Sequence, residues 1–97
     1  MYDKVLIITD RTTLPDISMG AARHLPCPQG YTVGAIVRKG DWADRHMPGV
    51  YGEAVFVNQA TRDVKFVDED KGLSCTVLKD KSMKCVACIR GKEVIWA

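Results

Sequence analysis

The side chains best equipped for chemistry in this 97-residue chain are thiols and imidazoles. Cys85-Val-Ala-Cys88 has C-x-x-C spacing, and His24-Leu-Pro-Cys27 supplies H-x-x-C. Together His24, Cys27, Cys85 and Cys88 make the donor set of a Cys₃His zinc site, because zinc takes thiolate and imidazole ligands in a tetrahedron. Zinc-binding pairs at this spacing usually sit on a turn that aims both sulfurs at one point. Here Val86 and Ala87 belong to a strand pattern, and residues three apart on a strand point to opposite faces, so Cys85 and Cys88 are expected to diverge. The plainer reading takes all the cysteines as small buried hydrophobes, with no metal bound. A thioredoxin-like redox pair needs a helix N-terminus to lower its thiol pKa, and this pair lacks that placement.

Other catalytic constellations fare no better. A nucleophile requires a base within reach. His24 and Cys27 are separated by Pro26, which breaks the helix that would align them, and His46 has Asp44 nearby without a nucleophile. Both histidines read as structural or solvated. The phosphate-cradling Gly-x-x-x-x-Gly-Lys pattern is absent, and Asp3, Asp10 and Asp16 are scattered. The sequence therefore predicts a non-enzyme without a cofactor.

Binding chemistry is better represented. Trp42, Arg45, His46, Met47, Pro48 and Tyr51 crowd one irregular stretch, and Trp, Tyr, Arg and Met are enriched at protein–protein contacts. The alternative is a loop whose aromatics fold back onto the sheet. Lys79, Lys81 and Lys84 cluster around a turn and add positive charge to the same candidate surface, though a solvated hairpin tip reads the same way. The Met47–Pro48 bond is of the kind that prolyl isomerases act on, which makes a prolyl isomerase a candidate partner.

These residues need elements to hold them. The run from Leu73 to Ala97 reads as three short strands joined by turns at Asp80-Lys81 and Gly91-Lys92. Gly-X suits a two-residue type II′ hairpin, which sets Arg90 against Glu93, Ile89 against Val94, Cys88 against Ile95 and Ala87 against Trp96. The first turn would set Leu78 against Met83 and Cys75 against Val86. Upstream, Tyr2–Thr9 and Tyr31–Arg38 read as strands, and Glu53–Asn58 with Asp63–Asp68 as a hairpin across Gln59-Ala-Thr-Arg62. Thr12 to His24 reads as a helix, with Thr13 and Asp16 as a capping box, Pro15 in the first turn, and Ile17, Ala21 and Leu25 along one side. Asp41 is placed to cap one helical turn running to His46. The expected fold is α+β, a single domain over residues 1–97 dominated by antiparallel sheet, with six or seven short strands and one or two short helices.

Composition agrees with a globular domain: 46% of residues are hydrophobic and 27% charged. Fourteen Lys and Arg against twelve Asp and Glu leave a net charge of +2. That is too little for nucleic-acid binding by bulk electrostatics, so direct binding of DNA or RNA is not expected. No leader or apolar spanning stretch is visible, which predicts a chain away from the membrane, in a cytoplasm where thiols stay reduced.

Taken whole, the chain resembles the anti-RecBCD family of small phage proteins. Its length, its opening Met1-Tyr-Asp-Lys-Val-Leu-Ile-Ile-Thr-Asp10 and its lack of an enzymatic motif carry the likeness. The resemblance implies a small non-enzymatic modulator in the host bacterial cytoplasm that docks on the RecBCD helicase–nuclease. A DNA mimic would be strongly acidic, so docking on a protein surface fits this charge better. The alternatives are a nucleic-acid-binding module using the lysine turn and strand faces, and a structural zinc domain.

Overall fold

Val5-Leu-Ile-Ile8 is an unbroken apolar run, and such a strand is stable only when covered on both faces. The computed structural model describes residues 3–16, 23–43, 50–67, 75–78, 82–91 and 93–97, with backbone alone at 14–16, 23–25, 43, 50, 51 and 75–78. In it the run lies in β1 (Lys4–Ile8), hydrogen-bonded along both edges. Leu6, Ile7 and Ile8 are fully buried, each contributing about 1.5–3 kcal/mol of transfer free energy.

Around β1 the described residues form β2 (Thr13–Asp16), β3 (Arg23–Pro26), β4 (Thr32–Arg38), α1 (Lys39–Ala43), β5 (Val50–Asn58), β6 (Asp63–Phe66), β7 (Cys75–Leu78), β8 (Lys84–Arg90) and β9 (Glu93–Trp96). Seven strands make one antiparallel sheet in the order β6-β5-β4-β1-β8-β9, with β7 pairing the N-terminal half of β5. With one five-residue helix among the described residues, the protein is a small mostly-β domain, and α+β describes it only roughly.

The sheet curls, and alternate residues of the same strands build two cores. Val5, Ile7, Val33, Ala35, Val37 and Ala54 form the convex-side cluster, with Trp42, Phe56 and Met83 packed against it. Leu6, Ile8, Val55, Val57, Ala87 and Ile89 form the concave-side cluster, with Val64 of β6 and Val94 and Trp96 of β9 against it. Gly34 shows how tightly β1 and β4 pack: a Cβ there would lie 2.5 Å from the Ile7 carbonyl oxygen and 3.1 Å from Val57 Cγ2.

Two hairpins match the sequence reading. β8 and β9 pair as Arg90↔Glu93, Ile89↔Val94, Cys88↔Ile95 and Ala87↔Trp96, and Gly91 has the positive φ of 60° that a primed turn requires. β5 and β6 close at Asn58↔Asp63. There the Asn58 carboxamide accepts from the Ala60 and Thr61 amides at 3.0 and 3.2 Å, and Arg62 takes φ 58°, an Asx-stabilised turn ending in a left-handed residue.

Three expectations are corrected. First, no helix runs from Thr12 to His24. Thr13–Asp16 and Arg23–Pro26 pair as an antiparallel ladder, with residues 17–22 outside those described. The prolines permit it. The Cys27 amide bonds the Thr12 carbonyl at 2.8 Å, so by alternation the Thr13↔Pro26 and Pro15↔His24 pairs need no N–H. Second, β7 does not pair β8: it pairs β5 as Val50↔Leu78 to Glu53↔Cys75, while β8 pairs β1. The apolar run of β1 needs a second neighbour, and β8 supplies it. Third, Cys85 and Cys88 do not diverge. The β1–β8 register shifts between Leu6 and Ile7, leaving Val86 as the extra residue of a bulge, so Cys88 stands opposite Val5 and Cys85 opposite Ile7. The expected short helix is α1, which runs from Lys39 to Ala43. Asp41 lies within it, 3.0 Å from Arg38, an exposed pair worth little.

Candidate functional site

The concave face is not filled by its own strands. Because the sheet curls, β6 and β9 rise on opposite sides of a trough of about 470 Å³. Val64 and Phe66 form one wall, Ile89 and Val94 the other, and Ile36 the floor, while Lys4 and Glu53 bring opposite charges to the lining. Strand alternation places them there: Lys4 shares the face of Leu6 and Ile8, and Glu53 that of Val55 and Val57. Phe66 is 42% exposed, the one large hydrophobic left in solvent among the described residues. A concave apolar lining with a few polar groups is the usual form of a binding site. The outer edges of β6 and β9 carry no ladder among the described residues, so main-chain donors and acceptors frame the trough.

A second hollow of about 300 Å³ lies where the β5–β6 turn approaches β8 and β9. Gln59, Arg62, Lys84, Val86 and Trp96 line it. On the other face of β6, Tyr31 donates a hydrogen bond to Asp63, and Lys65 Nζ sits 5.1 Å from the Tyr31 ring centroid. The Asp63 hydrogen bond holds the Tyr31 phenol above its ordinary value, with desolvation and the carboxylate charge acting in the same direction.

The structure scatters the residues singled out in the sequence. Trp42 lies in α1, half-buried against the convex cluster. Lys84 stands opposite Ile8, on the concave side, so Trp42 and Lys84 do not share a surface. Tyr51 lies on β5 opposite Val77. Arg45, His46, Met47, Pro48, Lys79 and Lys81 fall outside the described residues, as does the turn at Asp80-Lys81. His24 stands on β3 opposite Pro15.

The thiols are not uniformly buried: Cys85 is exposed, and Cys27 and Cys88 are half-buried, all three free. Burial pushes the Cys27 thiol up. Desolvation does the same for Cys85; a hydrogen bond with the Ala87 backbone opposes this, the neighbouring Cys88 adds to the rise, and the Lys39 ammonium works against it. Among the described residues, no group of three or more His, Cys, Asp or Glu side chains is placed to hold a metal ion.

Sequence reasoning missed the trough. Its usable signals were the Val64-Lys-Phe66 alternation and the single Glu53 opening an apolar strand, but which strands would curl toward each other is a tertiary property.

Comparison with family models found no match to this chain, and comparisons with curated proteins and with solved structures found none either. Among the described residues, no helix is long and apolar enough to cross a membrane.

Proposed function

We infer that this chain is a small non-enzymatic binding protein that docks on a partner protein through its concave face. The observation that carries the reading is the apolar trough between the unpaired edges of β6 and β9, with Phe66 exposed on its wall. Such a site accepts an extended segment in two ways: apolar side chains enter the trough, and the segment's backbone adds to a strand edge. The opening stretch resembles the anti-RecBCD phage proteins, which makes the host RecBCD complex the first partner to test, with a host prolyl isomerase as the second.

The test is capture of purified RecBCD by the tagged chain, comparing the parent with Phe66→Asp and Val94→Asp. A charge in the trough is expected to weaken capture at least tenfold while the far-ultraviolet circular dichroism stays unchanged. Undiminished capture by both variants, together with its loss on replacing Trp42, Arg45 and Tyr51 by alanine, moves the interface to the Asp41–Tyr51 stretch.

A second reading has its own observation. Arg62 and Lys84 flank Trp96 around the smaller hollow, the combination of cations and an aromatic platform that holds single-stranded nucleic acid. Affinity for an oligonucleotide that falls steeply with salt and is lost in Trp96→Ala would establish it.

A further inference from the structure

The two hollows of the molecule are chemically unlike. The trough is apolar, with one cation and one anion in its lining, Lys4 and Glu53. The smaller hollow, beside the β5–β6 turn, has two cations, Arg62 and Lys84, together with Gln59, Val86 and Trp96, and among the described residues no Asp or Glu lines it. Arg62 and Lys84 are both exposed, and neither is ion-paired among the described residues. Asp63, the acid next to Arg62, accepts from the Tyr31 hydroxyl instead, on the opposite face of β6. Arg62 also sits at φ 58°, a conformation in which glycine is the unstrained choice. A side chain kept in such a conformation is a pointer to function, and here it brings a guanidinium to the rim of a hollow. Trp96 is held from behind, because it packs against the concave cluster while bordering the hollow.

We propose that this hollow binds one nucleoside 5′-phosphate, free or as the terminal nucleotide of a strand; the proposal rests on the second reading above and names its ligand. The phosphate lies between Arg62 and Lys84, whose charge-assisted hydrogen bonds suit a dianion. The base lies against Trp96, and stacking of this kind tolerates any base. Gln59 brings a carboxamide, donor and acceptor together, to the base edge or the sugar hydroxyls. Size sets the number of nucleotides. At about 300 Å³ the hollow stands at the small end of small-molecule sites, enough for one nucleotide and too little for a tract. The backbone of the turn takes no part. The Ala60 and Thr61 amides are already bonded to the Asn58 carboxamide, so the two side-chain cations carry the phosphate.

The experiment is calorimetric titration of the full chain at low salt with adenosine 5′-monophosphate, adenosine, inorganic phosphate, and a deoxyadenylate tetramer with and without a 5′-phosphate. The monophosphate is expected to bind one per chain with a Kd of about 10–100 μM. Adenosine and phosphate alone should each bind at least about tenfold more weakly, since each keeps half of the contacts. Affinity should fall as pH drops through about 6, where the phosphate regains its second proton. Arg62→Gly is the sharpest variant: binding should weaken at least about tenfold, while the urea midpoint stays equal or rises, because glycine suits that φ. Lys84→Gln, at an exposed position, should weaken binding by a similar factor. A 5′-phosphorylated tetramer that binds as well as the monophosphate identifies a strand end as the ligand, and one that fails to bind identifies the free nucleotide. Monophosphate binding no better than adenosine or phosphate overturns the proposal, as does parent-like binding by both variants. Tetramer binding that ignores the 5′-phosphate, with no binding of the monophosphate, overturns it while leaving the second reading standing. No binding of any nucleotide or tetramer overturns both.

Discussion

The two faces of the sheet are drawn from the same strands, yet they end differently. On the convex side, Val5 and Ile7 lie under Trp42 of α1 and beside Phe56, Cys27 and Met83, so elements outside the central strands complete the packing. On the concave side, Leu6 and Ile8 are buried as deeply, and among the described residues the walls β6 and β9 rise around them, with a trough between. Burial at the centre is equal, and the difference lies at the rim. Among the described residues one face is covered by α1, while the other leaves an apolar trough, the surface proposed above to bind.

The comparison is tested most severely at its shared centre. Leu6→Ala and Ile7→Ala delete side chains that are both 0% exposed, one on each face. Each should lower unfolding free energy by about 2–5 kcal/mol in urea titrations. A loss under 1 kcal/mol for Leu6→Ala alone would mean that the concave core is loosely packed. Gly34→Ala should cost about 1–3 kcal/mol, because the new methyl meets the Ile7 backbone rather than a movable side-chain end.

At the rim the expected effects shrink. Phe66→Ala should change stability by less than about 1 kcal/mol, since the ring is already 42% exposed, while still weakening partner capture. Thr32 Oγ1 is buried with no hydrogen-bond partner among the described residues, on the face it shares with Val57. Thr32→Val should therefore raise stability by about 1 kcal/mol. The smallest effect is pH-dependent. The Asp63 hydrogen bond raises the folded-state pKa of Tyr31, so its contribution is fully present below the ordinary phenol value of 10.0 and lost as pH rises through the folded value. Urea midpoints of the parent and Tyr31→Phe should differ at neutral pH and converge in strong alkali.

How much of this was legible in the sequence follows from how local each determinant is. Gly91-Lys92 fixed the β8–β9 register because a two-residue turn permits only one, and Gln59–Arg62 framed β5 and β6 in the same way. Val5–Ile8 announced a strand covered on both sides. What failed was non-local or ambiguous. Thr13-Leu-Pro-Asp16 meets the signature of a helix start, but its proline also fits a row of an antiparallel ladder that uses no N–H, and the partner strand decides between them. The choice between β5 and β8 as the partner of β7 depends on the demand of β1 for a neighbour, which no local pattern encodes. The bulge at Val86 leaves no residue signature, so the facing of Cys85 and Cys88 could not be read from spacing. The trough depends on sheet curl, and it brings together Lys4, Glu53, Phe66 and Val94 from strands far apart in sequence.

The most direct test of an open, binding-competent concave face is amide hydrogen exchange on the chain with and without a captured partner. New protection is predicted along Asp63–Phe66 and Glu93–Trp96, the two edges that frame the trough. Protection confined to the Lys39–Tyr51 stretch, with both edges exchanging as in the free chain, would contradict it.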